Sequence, residues 1–160
     1  MKRIWWAAAV LLLLVAGCGV RPSGVTDGGR APTGVAAGVT LYFVDARGAL
    51  RPQPRRTGHL GTISEAMSLL LSAGPHESGL HTELPPNATT QVVVTTAPGL
   101  IRLMVPLSIH EVTPLGIDQI VCTALDVHVR SGGPRSTKVQ IRFTLTTSES
   151  AKRRTCPLFR

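Results

Sequence analysis

The chain has 160 residues, 43% of them hydrophobic, and its 17 Lys and Arg against 9 Asp and Glu give a formal net charge of +8. That length and apolar content provide for one small domain. Aromatics make up only 4% of the chain, and no basic stripe interleaved with aromatics occurs, which argues against a nucleic-acid partner.

The N-terminus opens with Lys2 and Arg3, followed by the apolar run IWWAAAVLLLLVA and then Gly17 and Cys18. The run is short of the roughly 20 residues that span a bilayer, and it matches the h-region of a secretory signal peptide. Val15, Ala16 and Gly17 before Cys18 resemble a bacterial lipobox, in which the cysteine thiol receives diacylglycerol. The expectation is a lipoprotein signal over residues 1–17, lipidation at Cys18, and an anchor with a Gly-, Pro-, Ser- and Thr-rich flexible linker over 18–38. Loss of Lys2 and Arg3 with the signal lowers the net charge by two. The folded part is expected over 39–147, followed by a basic C-terminal tail over 148–160.

Along that part, VTLYFVD at 39–45 alternates as a strand whose Val39, Leu41 and Phe43 form the more apolar face. Arg47-Gly48 marks a turn. The ALRPQPR that follows predicts at most a short extended piece, because prolines cannot join a central ladder. Thr62 and Glu65 form a capping box for a helix with Ile63, Ala66, Met67, Leu70 and Leu71 on one stripe. Gly74, suited to a left-handed cap, and Pro75 end it.

The next stretch, GPHESGLHTELPP, crowds His76, Glu77, His81 and Glu83 together. A zinc-protease helix needs H-E-x-x-H, so that both imidazoles share one helical face beside the carboxylate. Here His81 comes one residue too late, and Gly74, Pro75 and Gly79 break any helix. No metal or other cofactor is expected. QVVVTT and LIRLMV around Pro98-Gly99 predict an antiparallel hairpin with a three-to-five-residue loop, Ile101, Leu103 and Val105 pointing inward and Arg102 outward. Thr113-Pro114 starts a second helix, with Ile117, Ile120, Val121, Ala124 and Leu125 at helical spacing and Gly116 weakening its first turn. KVQIRFTL closes the order with Val139, Ile141, Phe143 and Leu145 inward and Lys138, Gln140, Arg142 and Thr144 outward. The expected fold is α+β, a single small domain with a three- to four-stranded mixed or antiparallel sheet and two helices packed on one face. With Cys18 assigned to lipid, Cys122 and Cys156 are left as a pair free to form a disulfide outside the cytoplasm, or as two unrelated cysteines.

Five segments in this order resemble the GerMN domain family of sporulation and spore-germination proteins. They are L-Y-F-V-D with R-G-x-L at 41–50, L-L-S-A-G-P at 70–75, G-L-H-T-E-L-P at 79–85, V-P-L-S at 105–108 and Q-I-V-C-T-A-L at 119–125. Pro106 stands where the family has aspartate. The resemblance makes Gly74, Pro75, Gly79, Leu80, Thr82 and Pro85 the pattern residues of the loop, and puts His76, Glu77 and His81 in its variable gaps. The stretch then reads as a solvated loop.

The resemblance further implies an exported lipoprotein on the extracytoplasmic face of the cell membrane. Such a protein has no described catalytic residues and works by protein–protein contact or assembly in the envelope. An envelope protein partner is expected, met on a sheet surface or edge, with Lys138, Gln140, Arg142 and Thr144 as the candidate row. Two other readings compete. One is a lipoprotein that binds a small ligand or anionic wall polymer through its basic face. The other is a hydrolase built around His59, His76 or His81, although Ser64, Ser68 and Ser72 lie in a helix without a strand-turn-helix nucleophile elbow.

Overall fold

The computed structural model describes residues 38–59, 61–86 and 89–159; the signal segment, Cys18 and nearly all of the linker lie outside them. Strand β1 (Gly38–Asp45) is buried along both faces, with Leu41, Phe43 and Val44 at 0% exposure and Thr40 and Tyr42 at 4%. The alternation in its sequence predicts one face more apolar than the other; the structure buries the Thr40, Tyr42 and Val44 face as well. A turn built on Asp45 leads to β2 (Leu50–Arg56), which pairs antiparallel with β1 along its whole length. The proline-bearing segment is thus a full strand. Its prolines are tolerated because β2 is an edge.

Helix α1 (Ile63–Ser72) carries the expected capping box: Thr62 accepts from the Glu65 N–H, and the Glu65 carboxylate accepts from the Thr62 N–H. Ile63, Ala66, Met67, Leu70 and Leu71 are buried as expected. The helix ends in an extended Ala73, and Gly74 is not in the left-handed region. Pro75 holds its predecessor extended, and the Gly74 carbonyl accepts from Arg55.

Strand β3 (Leu80–His81) pairs with the end of β1 and completes a three-stranded antiparallel sheet. The hairpin of β4 (Val93–Ala97) and β5 (Leu100–Met104) has Ala97 opposite Leu100, so its loop is the two residues Pro98 and Gly99, tighter than expected. Gly99 supplies the positive φ of +70° that a Pro-Gly turn needs. Helix α2 (Pro114–Arg130) then crosses over to β6 (Lys138–Arg142), which lies parallel to β5. Strand β7 (Arg153–Arg154) is antiparallel to β6, so a four-stranded mixed sheet runs β4-β5-β6-β7. The fold is α+β, one small domain with two helices, but its strands form two sheets where one was expected.

One local expectation is corrected, and two others gain detail. β6 ends at Arg142, and Leu145 is 53% exposed, because the chain leaves the ladder where the Thr144 N–H and hydroxyl donate to the Leu107 carbonyl. The basic tail is a folded strap. It forms a 3-10 turn (Ser148–Ala151) and β7, places Phe159 edge-on to Tyr42, and brings Cys156 within disulfide distance of Cys122. Gly116 stands inside the first turn of the second helix (Pro114–Arg130) because no side chain fits there: a Cβ would lie 2.7 Å from the Glu83 carbonyl.

Candidate contact surface

The histidine- and glutamate-rich stretch is solvated as expected, with His76, Glu77, Gly79, His81 and Thr82 exposed, and hydrogen bonds tie it as a strap to the first sheet and α2. The His76 N–H donates to Gln53, the Glu83 N–H donates to Gln119 at 2.7 Å, and the Thr113 hydroxyl donates to the Glu83 carboxylate at 3.0 Å. Gln119 is fully buried and donates its amide to the Tyr42 carbonyl at 2.8 Å. Thr123, one turn along α2, accepts from the Tyr42 N–H at 3.2 Å. Because β3 pairs only with the end of β1, these two side chains satisfy the β1 backbone where a third strand would have done so.

Within the strap the His81 ring lies 3.0 Å from Glu83 and, with Thr113, holds that carboxyl below its ordinary pKa. Under it, a cavity of about 480 Å³ opens between the end of α1 and Thr82, Leu84, Pro85 and Thr90, and no titratable side chain lines it. His59 lies elsewhere, 3.4 Å from Glu65 in a shallow depression beside Ser64 and Ser68. The hydroxyls of Ser64 and Ser68 donate to the carbonyls of Val92 and Thr90, and that of Ser72 to Ser68. His59 thus stands apart from His76 and His81, which share the strap. Among the described residues no group of three His, Cys, Asp or Glu is placed to hold a metal, and no helix is long and apolar enough to cross a membrane.

The outer face of the four-stranded sheet is where most of the predicted contact row lands. Register aligns Val93, Met104 and Arg142 in one row, Thr95, Arg102, Gln140 and Arg153 in the next, and Ala97, Leu100 and Lys138 in the third. Lys138, Arg142, Arg102 and Arg153 are exposed, and Val93 and Met104 are 54% and 57% exposed. The strands carry no carboxylate. The nearest acid in sequence, Glu149, is held by Lys152 and Arg154. Gln140 is partly covered, accepting from Arg102 and donating to the Ser150 carbonyl. Thr144 has left the strand, so the row does not continue to it. Sequence reading missed Arg153 because a two-residue strand has no periodicity to show.

The edge of β4 is the second feature. Ala97 pairs with Leu100 across the turn, so the alternation of an antiparallel ladder turns the N–H and C=O groups of Thr96 and Val94 away from β5. The same parity turns out the carbonyls of Val92 and Thr90, which Ser64 and Ser68 occupy. Those of Val94 and Thr96 have no partner among the described residues. Comparison with protein-family models, with curated proteins and with solved structures found no match.

Proposed function

We propose that this chain is an exported lipoprotein, anchored through Cys18, whose folded part is a non-catalytic module for protein–protein contact or assembly at the outer face of the membrane. The observation that carries the contact reading is the open edge of β4. It has neither proline nor charge, while β2 carries Pro52 and Pro54 and the other two edges are two residues long. An uncharged edge with unpaired amides takes an added strand from a partner. The export reading draws support from Cys122 and Cys156, which are placed to form a disulfide, as suits an oxidising compartment. The GerMN-like segments agree with both.

Two measurements test this. Cys18→Ser abolishes metabolic palmitate labelling and leaves unprocessed precursor; persistent labelling refutes the anchor. Thr96→Pro removes an outward-facing N–H without touching the β5 ladder, and it abolishes crosslinks to a protein partner in membranes while the domain stays folded. A folded Thr96→Pro chain that keeps every crosslink refutes the edge. The cations of the outer sheet face favour a second reading, in which the domain binds an anionic envelope component such as a wall polymer.

A further inference from the structure

We infer that the outer face of the four-stranded sheet is a membrane-resting surface that takes anionic lipid headgroups; it rests on the reading that the chain is anchored at the membrane. The charge is one-sided. Arg102, Lys138, Arg142 and Arg153 point outward from three adjacent strands, and none of them has a carboxylate partner among the described residues. Such a face is complementary to a polyanionic plane. Its cations sit near one another without neutralisation, so each gains by approaching lipid phosphates.

The apolar pair selects a lipid surface over a soluble polyanion. Val93 and Met104 face each other across β4 and β5, both more than half exposed, and Met104 shares its row with Arg142. A flexible thioether and a valine standing among cations suit the boundary between headgroups and acyl chains, where apolar side chains insert beneath bound phosphates. A poly-phosphodiester in water offers nothing for them. The face is also a sheet, whose ladder fixes the register of its side chains. It therefore presents these six side chains together, and laid on the bilayer it keeps the β4 edge at the rim, available to a protein partner.

The test uses the chain from position 18 onward with Cys18→Ser, so that no lipid contributes to binding. It is mixed with vesicles of phosphatidylcholine alone or of phosphatidylcholine and phosphatidylglycerol in equal parts. Binding is expected only to the anionic vesicles and to weaken with added salt. Each basic residue near such a surface contributes about fivefold, so Lys138→Glu with Arg142→Glu weakens binding roughly 25-fold or more. Lys138→Gln with Arg142→Gln gives the milder loss and guards against misfolding. Arg47→Glu, in the turn after β1, changes it less than about twofold on the same scale. Met104→Ser weakens vesicle binding severalfold and leaves binding to soluble linear polyphosphate unchanged. Equal binding to neutral vesicles, or no loss in the folded double variants, overturns the inference. So does polyphosphate binding as tight as vesicle binding with Met104→Ser silent in both, which makes the ligand a soluble polyanion. Palmitate labelling reports on Cys18 independently, so failure of the anchor and failure of this face are told apart.

Discussion

Gln119→Met probes whether helix side chains stand in for a missing strand beside β1. Methionine keeps the length of the side chain and its burial, but it can neither donate to the Tyr42 carbonyl nor accept from the Glu83 N–H. The first bond is buried and the second partly so, and the substitution leaves both backbone groups unpaired. A stranded buried group costs about 1–3 kcal/mol. Assigning the carbonyl about 2 and the amide, which can turn toward water, about 1 gives a loss of about 3 kcal/mol. For a domain of this size each kcal/mol moves Tm by about 4 °C, so the midpoint falls by about 12 °C. Urea and thermal unfolding of the oxidised domain, followed by circular dichroism, measure both quantities. Thr123→Val, which removes the acceptor for the Tyr42 N–H, costs about 1–2 kcal/mol. The double variant costs less than the sum, because both side chains serve one residue. A Gln119→Met domain within about 0.5 kcal/mol of the parent, the range of an ordinary surface change, refutes the account.

Free-thiol titration of the oxidised, secreted domain finds neither Cys122 nor Cys156 reactive. Replacing both with alanine costs about 3–4 kcal/mol, the chain-entropy value for the separation of 34 residues between them. Tyr42 is the chain's single tyrosine, and burial, then the Asp126 carboxylate, pushes its pKa up to about 12. Absorbance at the phenolate band therefore shows a midpoint near 12 in the folded domain. The protonated phenol is favoured by folding, so its stabilising contribution is complete below the unfolded value near 10 and is lost as pH rises toward 12. Gly116→Ala gains about 1 kcal/mol of helix propensity yet destabilises in thermal unfolding, since its Cβ meets the Glu83 carbonyl at 2.7 Å.

What the sequence revealed was local. Both helix starts rest on one-turn capping patterns, Thr62 with Glu65 and Thr113 with Pro114, and both stand in the structure. The inward set Ile101, Leu103, Val139 and Ile141 follows from strand alternation alone, and so do the outward Arg102, Lys138 and Arg142. What stayed hidden was long-range. Gln119 and Thr123 look like polar interruptions of an apolar helix, and the backbone they serve lies 77 and 81 residues away. Their four-residue spacing was a usable signal, since it puts both on one face of α2. The ties of the strap were hidden for the same reason. Its pattern residues were visible, but the groups that tie it down, on Gln53, Thr113 and Gln119, belong to other elements. The prolines of β2 misled because a proline rule for central ladders was applied to a strand whose edge position the sequence does not display.

The way the edges are closed gives the exposed one its meaning. On the first sheet, β2 ends in water with two prolines along it, and the opposite side of β1 is sealed by a two-residue strand and by amide and hydroxyl groups from α2. On the second sheet, β7 is two residues long and arginine-rich. Even the approach to β4 is capped, since α1 spends two serine hydroxyls on the carbonyls of Thr90 and Val92. That capping stops where β4 begins. Proline, charge and shortness are the ordinary defences of an edge, and each is used in this fold, while Val93–Ala97 has none of them. Strand-to-strand aggregation is the hazard of such an edge, and a net positive charge keeps copies of the domain apart in solution without blocking a partner of opposite or neutral character. On the proposed reading, the undefended edge and the cationic face beside it answer to two different ligands: an extended polypeptide at the rim and a negatively charged plane beneath.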